Sequence, residues 1–326
     1  MDKKDLRIVY MGTPDFAVES LRCLVEGGYN VVGVVTMPDK PMGRHGSVLR
    51  PSPVKTYAVE HGLKVLQPVK LKDEAFLEEL RSLDAKLQIV VAFRMLPEVV
   101  WNMPEYGTFN LHASLLPQYR GAAPINWAVI NGDKETGVTT FFLKHEIDTG
   151  DVIQQVKVPI EDTDDVEAVH DKLMLLGGKL VIETVDNILA GTVKSISQDS
   201  MSVSDDDLRP APKIFHETCR IDWQDKNTKQ IYDFVRGLSP YPAAWTELES
   251  DGKTYEVKIF KTAKLDAVKP QDAELGSVLT DGKSYLNVVT TNGLLGIEEL
   301  QLSGKKRMCA KDFLNGFKCG EMMRFK

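Results

Sequence analysis

Two short, mostly apolar runs rich in β-branched residues, Leu6–Met11 (LRIVYM) and Val31–Thr36 (VVGVVT), flank a stretch with one apolar helical face. This β-α-β order confines the chain more than any other feature. Parallel strands need a crossover, and a right-handed helix packed on the sheet supplies it. Gly12-Thr13-Pro14-Asp15 reads as the turn between them. Thr13 is the expected N-cap, Pro14 fits the first helical position, and Asp15 complements the positive helix end. Phe16, Leu21, Leu24 and Val25 make the buried stripe, and Gly27-Gly28 ends it. Further strands are expected at 87–92 (LQIVVA), 107–112 and 137–143, and helices near 54–61, 73–83 and 164–190, the last broken at Gly177-Gly178. The expected fold class is α/β, a doubly wound, mostly parallel, Rossmann-like sheet.

The rhythm changes beyond residue 190. Residues 191–208 are Ser/Asp-rich and polar and read as a linker closing on Arg209-Pro-Ala-Pro. After one helix near 228–236, short β runs follow at 244–249, 254–263, 276–280, 285–291 and 294–302, separated by Asp-Gly and Asn-Gly turns. Five strands at that spacing suggest a small OB-like β-barrel. The expected organisation is a catalytic domain at 1–190, a linker at 191–208 and a barrel domain at 209–326. Within the first domain, residues 37–55 (MPDKPMGRHGSVLRPSPVK) form a long connection, too rich in Pro and Gly for a regular element. Loops of that length are usually functional or disordered.

Composition excludes several classes. With 43% apolar and 27% charged residues, the chain is neither disordered nor fibrous. No apolar run reaches the roughly 18 residues of a membrane helix, and the charged opening, without an apolar stretch behind it, leads us to expect no secretory signal. The four cysteines (Cys23, Cys219, Cys309, Cys319) form no CxxC pair, which suits a reducing cytoplasm. The turn at Gly12 lacks the second and third glycines of a dinucleotide fingerprint, which argues against a nicotinamide cofactor. His145 with Asp148 offers too few ligands for a metal. The charge is uneven. Residues 1–205 carry 21 Lys/Arg against 29 Asp/Glu, a net of −8, whereas residues 302–326 carry seven against two, a net of +5. That basic tail suits a polyanion, or simply a solvated surface.

The densest polar constellation is Asn110-Leu111-His112-Ala113-Ser114-Leu115-Leu116-Pro117. Asn110 and His112 are two apart at a strand end and share a face. An amide and an imidazole together can polarise a carbonyl and stabilise an oxyanion. The same pair also fits polar groups that merely close a strand. Asp148, in LKHEIDTGD (143–151), follows the next strand, and its carboxylate can orient an imidazole at the sheet edge. Asp148 and Asp151 fit equally as turn-formers.

These residues, with MGTPDFA (11–17), PDKPMGR…PSPVK (38–55), SLLPQYRGAAPINWA (114–128), DTGD (148–151), SPYPAAW (239–245) and SGKKRM (303–308), resemble the folate-dependent formyltransferases. Within them the likeness is to the methionyl-tRNA formyltransferase family, and it runs nearly end to end. The resemblance implies transfer of the formyl group of 10-formyltetrahydrofolate to the α-amino group of methionine on initiator tRNA. It implies that Asn110 bonds the formyl oxygen, that His112 stabilises its charge, and that Asp148 positions His112 and a proton-shuttling water. Ser114, Leu115, Leu116 and Pro117 would line the folate site. Lys40, Arg44 and Arg50 of the long loop, with Lys213, Lys305, Lys306 and Arg307 of the second domain, would contact tRNA phosphates. No metal is required, and a cytoplasmic monomer without a membrane partner is expected. Glu146 stands where the family has glycine, and Phe93-Arg94 replaces Tyr-Gly. The alternatives are a formyltransferase for an amino-sugar nucleotide or another small amine, a formyltetrahydrofolate hydrolase, and a non-catalytic RNA-binding protein.

Overall fold

The structure, a computed structural model, describes residues 2–42, 48–201, 204, 207–317, 320 and 322–326. The chain divides into two compact units, one of 1–121, 135–158 and 170–211, the other of 122–134, 159–169 and 212–326. Its elements are β1 (Ile8–Gly12), α1 (Asp15–Glu26), β2 (Val31–Val35), β3 (Lys40–Met42), β4 (Val48–Arg50), α2 (Pro53–Glu60), β5 (Val65–Leu66), α3 (Glu74–Ser82), β6 (Leu87–Val91), α4 (Glu98–Trp101), β7 (Thr108–His112), α5 (Pro124–Ile130), β8 (Glu135–Phe142), β9 (Val152–Pro159) and α6 (Val166–Ala190). These are followed by α7 (Thr228–Leu238), β10 (Ala244–Ser250), β11 (Lys253–Lys264), β12 (Val278–Thr280), β13 (Leu286–Val289), β14 (Leu294–Leu302), β15 (Met308–Cys309), α8 (Ala310–Gly316) and β16 (Met323–Phe325).

The first unit is the expected doubly wound sheet, in the order β5-β2-β1-β6-β7-β8-β9. Strands β5, β2, β1, β6 and β7 pair in parallel, and β8 runs antiparallel to β7. Every residue of β1 and β6 is buried, as a parallel strand covered on both faces requires. The start of α1 differs from the sequence expectation. Pro14 is the N-cap and offers no side-chain bond, while the Thr13 hydroxyl is buried without a partner. The 37–55 connection also differs, because β3 and β4 pair as a short antiparallel hairpin, Lys40 opposite Arg50. The Pro and Gly content hid this ladder, which needs few backbone bonds.

Helix α6 passes through Gly177-Gly178 without a break. A Cβ on Gly177 would meet Leu111 at 2.6 Å, and one on Gly178 would meet the Cys23 sulfur at 3.0 Å. The glycines are there for close approach, and tertiary packing overrides their low propensity, about 1 kcal/mol each. Composition marks 191–208 as a linker, but its described part packs on the first unit. Ile196 exchanges both backbone bonds with Val152 at 2.8 Å, and Gln198 is 3% exposed. Residues 202, 203, 205 and 206 lie outside the described set.

In the second unit, strands run β12-β13-β14-β11-β10-β16, with β15 on β14. A bridge between Ser277 and Arg324 links the outer strands and nearly closes the antiparallel barrel. Its core holds Trp223, stacked on Phe325 at 5.6 Å, with Ile231, Val235, Leu248, Ile259 and Phe313. Helix α7 begins at a capping box, Asn227 with Gln230. No described helix is long and apolar enough to cross a membrane.

Candidate active site

The site is built on β7, where Asn110 and His112 project from one face while Leu111 packs beneath against Gly177 of α6. His112 is 7% exposed and sits edge-on to Phe141 at 6.4 Å, so its ring is held by packing as well as by polar contacts. Its Nε2 lies 2.8 Å from the carbonyl oxygen of Tyr119. A carbonyl only accepts, so Nε2 carries the proton and Nδ1 is left facing the site. Asp148 Oδ2 is 3.9 Å from that Nδ1, beyond direct hydrogen bonding and within reach of one bridging water.

Asp148 does not arrive by the route read from the sequence. Because β8 is antiparallel, its carboxyl end lies beside Phe109, not His112. Residues 143–151 therefore fold back over the sheet to bring the carboxylate to the ring. Gly150 permits the return, since a Cβ there would lie 1.6 Å from the Phe142 carbonyl oxygen. Asp148 has φ 56°, in the left-handed region that Asp and Asn tolerate best. Its Oδ2 accepts from the Gly121 N–H at 2.9 Å. Gly121 has φ 129°, and a Cβ on it would meet the Ala211 carbonyl oxygen at 2.4 Å.

Sequence reasoning missed Gln198, inside the stretch read as linker. Its Nε2 donates to the carbonyls of Asp148 and Gly150, each at 2.8 Å, and its Oε1 accepts from Arg120 Nε and Nη2 at 3.0 and 2.7 Å. One buried amide thus fixes the carboxylate loop and the loop after β7 together. A lone Gln among Ser and Asp carries no pattern that would reveal this.

The other expected site residues fall in different places. Ser114, Leu116 and Pro117 are buried, and Leu115 is half-buried. Ser114 Oγ donates to the Gln118 carbonyl at 2.7 Å, and Leu116 packs with Phe141 and Val152. Lys40 and Arg50 are exposed on the β3-β4 hairpin, while Arg44 lies outside the described residues. In the second unit Lys213 is exposed over the Phe215 ring at 5.3 Å. Lys305, Lys306 and Arg307 occupy the exposed turn between β14 and β15, and Arg307 is already paired with Glu299 at 2.5 Å. His145 stands apart, 3.6 Å from Glu98 and edge-on to Trp101. Among the described residues no group of three His, Cys, Asp or Glu could hold a metal ion. Cys23, Cys219 and Cys309 are free, and Cys319 lies outside the described set.

The formyl transferase family matches residues 6–185, and its C-terminal domain family matches residues 213–318. A methionyl-tRNA formyltransferase of Parabacteroides distasonis is 70% identical over 319 residues, 98% of each chain. The chain belongs to the methionyl-tRNA formyltransferase family. Another formyltransferase of that name, from Bacteroides fragilis, is 66% identical across 100% of this chain and 99% of its own. Among solved structures, the sugar 3N-formyl transferase WlaRD superposes with a TM-score of 0.64 at 18% identity, covering 92% of this chain and 99% of its own. HypX from Aquifex aeolicus, in complex with tetrahydrofolic acid, gives a TM-score of 0.62 at 19% identity over 98% of this chain and 51% of its own. These two likenesses concern the formyltransferase fold.

Proposed function

We propose that the chain moves the formyl group of 10-formyltetrahydrofolate onto the α-amino group of methionine esterified to initiator tRNA, in the cytoplasm. The observation that carries this reading is the 3.9 Å approach of Asp148 to the Nδ1 of a ring whose other nitrogen is already committed to Tyr119. Asn110 lies on the same strand face.

The amine nitrogen attacks the formyl carbon, a C–N bond forms, and the carbonyl oxygen takes the negative charge. The Asn110 amide donates to that oxygen. When the His112 ring carries a second proton, Nδ1–H donates as well. A lost donor of this kind typically costs about 3–4 kcal/mol of transition-state stabilisation. An α-amino group titrates near about 8, so much of it is already neutral at working pH. The Asp148 carboxylate holds a water beside Nδ1 that accepts the proton released by the amine. The bond from the formyl carbon to N10 then breaks, and N10 receives a proton through the same water. Nothing in this sequence needs a metal or a covalent nucleophile.

Leu115 contacts the donor at the half-exposed surface of its loop, while Ser114, Leu116 and Pro117 hold that loop in shape from within. Lys40, Arg44, Arg50, Lys213, Lys305 and Lys306 supply phosphate contacts, with Arg307 contributing less because Glu299 already neutralises it. The test is a formyl-transfer assay with charged initiator tRNA and 10-formyltetrahydrofolate, comparing wild type with His112→Ala. The variant is expected to lose most turnover and keep its fold. Full turnover in the variant, or formate release without formylated tRNA in the wild type, would overturn the reading.

A further inference from the structure

The crevice of a doubly wound sheet lies where the strand order reverses, here between β1 and β6. Arg94, two residues beyond the positive-φ Ala92 that follows β6, reaches the segment after β5. Its guanidinium donates from Nη1 to the Val69 carbonyl at 2.8 Å and from Nη2 to the Pro68 carbonyl. It stands beside the Phe93 ring at 5.6 Å. Two adjacent carbonyls caught by one planar fork is a contact that only arginine makes.

The same segment is tied on its other side. Gln67 Nε2 donates to the Met37 carbonyl at 3.0 Å and to Asp39 Oδ1 at 2.7 Å. The second Asp39 oxygen takes Lys55 Nζ at 2.6 Å. Asp39 and Lys55 stand at the two ends of the connection that carries the β3-β4 hairpin, with its exposed Lys40 and Arg50. A continuous set of polar contacts thus runs from the end of β6, through Arg94 and residues 67–69, to the hairpin base. Strand β6 is the direct neighbour of β7, with Val90 opposite Asn110.

We infer that Arg94 is a positioning residue, which holds the 67–69 segment as a strap and thereby fixes the basic hairpin relative to the strand bearing Asn110 and His112. This rests on the proposed reading that the hairpin meets tRNA. Arg94 acts through Gln67 and touches neither substrate. A fixed hairpin presents the acceptor end of the tRNA in one register, so loss of the strap weakens tRNA capture without altering the reacting groups.

The test is steady-state formyl transfer by Arg94→Gln, Gln67→Ala and the double variant, varying charged tRNA and formyl donor separately. Each single variant is expected to raise the tRNA KM about tenfold, with kcat and donor KM within about twofold of wild type. Because both act through one strap, the double variant is expected to be no worse than the poorer single. Multiplying effects would mean that Arg94 contacts a phosphate itself, and would overturn the inference. A raised donor KM or a lowered kcat with tRNA KM unchanged would overturn it too. Gln67→Ala removes no charge, so its tRNA effect separates the strap from simple electrostatics, and it serves alone if Arg94→Gln fails to fold. A wild type inactive on tRNA would defeat the functional reading before any variant is compared.

Discussion

The Nε2–H of His112 donates to the main-chain carbonyl of Tyr119 at 2.8 Å, and that one bond decides which nitrogen of the ring is free for chemistry. Tyr119 itself has φ 59°, and its N–H is bonded to the Arg209 carbonyl at 2.7 Å, so the acceptor is fixed from both sides. Nδ1 is left toward Asp148, whose Oδ2 lies 3.9 Å away.

Asp148→Asn follows directly. Asparagine tolerates the left-handed backbone and still accepts from the Gly121 N–H, so the fold is expected to survive with a melting temperature near wild type. The negative charge beside Nδ1 is lost. A fall in kcat of about 10²-fold or more is expected, of the order that removal of a positioned acid–base group brings. Comparison of single-turnover rates with thermal melts checks this.

Gln198→Ala removes four hydrogen bonds and leaves the carbonyls of Asp148 and Gly150 and the Arg120 guanidinium short of partners. Buried groups left unpaired cost about 1–3 kcal/mol. The variant is expected to melt earlier and to lose kcat together, because the carboxylate loop loses its tether. Denaturant unfolding alongside kinetics tests it.

Gly177→Ala sets two effects against each other. Helix propensity favours alanine by about 1 kcal/mol. A methyl at 2.6 Å from Leu111 overpacks the contact between α6 and the site strand, which typically costs about 1–3 kcal/mol. Net destabilisation is expected, with a further loss of kcat as β7 shifts. Stabilisation in chemical denaturation would contradict the packing account.

The Asp39 carboxyl is held below its ordinary value, first by the Lys55 ammonium and then by the Gln67 amide. Its folded pKa lies below the unfolded one, so its contribution to stability is present above the unfolded value, near about 3.9, and is lost as pH falls through the lowered value. A carboxyl carbon titration by NMR is expected to place Asp39 below the usual aspartate value, and Lys55→Met to return it toward that value.

The sheet was legible in the sequence because its strands are short buried runs between Gly and Pro signals, as at 87–91 and 108–112. The candidates Asn110, His112 and Asp148 came from a resemblance, and the two on β7 also from their period of two. What was not legible depends on contacts distant in sequence. The direction of β8 is invisible in its own residues, and with it the path of 143–151. Gly177-Gly178 look like a helix stop until Leu111 is seen beneath them. Gln198 gains meaning only from carbonyls some fifty positions earlier in the chain. The cap at Thr13 failed because Pro14 took the position and left the hydroxyl buried.

The reversal of β8 divides the site into two kinds of support. The amide and the imidazole ride on a strand hydrogen-bonded on both sides, so their backbone cannot shift without its neighbours. The carboxylate hangs on a return segment outside the sheet, held by contacts from Gln198 and Gly121. Inserting or deleting residues between 143 and 147 would therefore shift Asp148 while leaving the strand that carries Asn110 and His112 as it is.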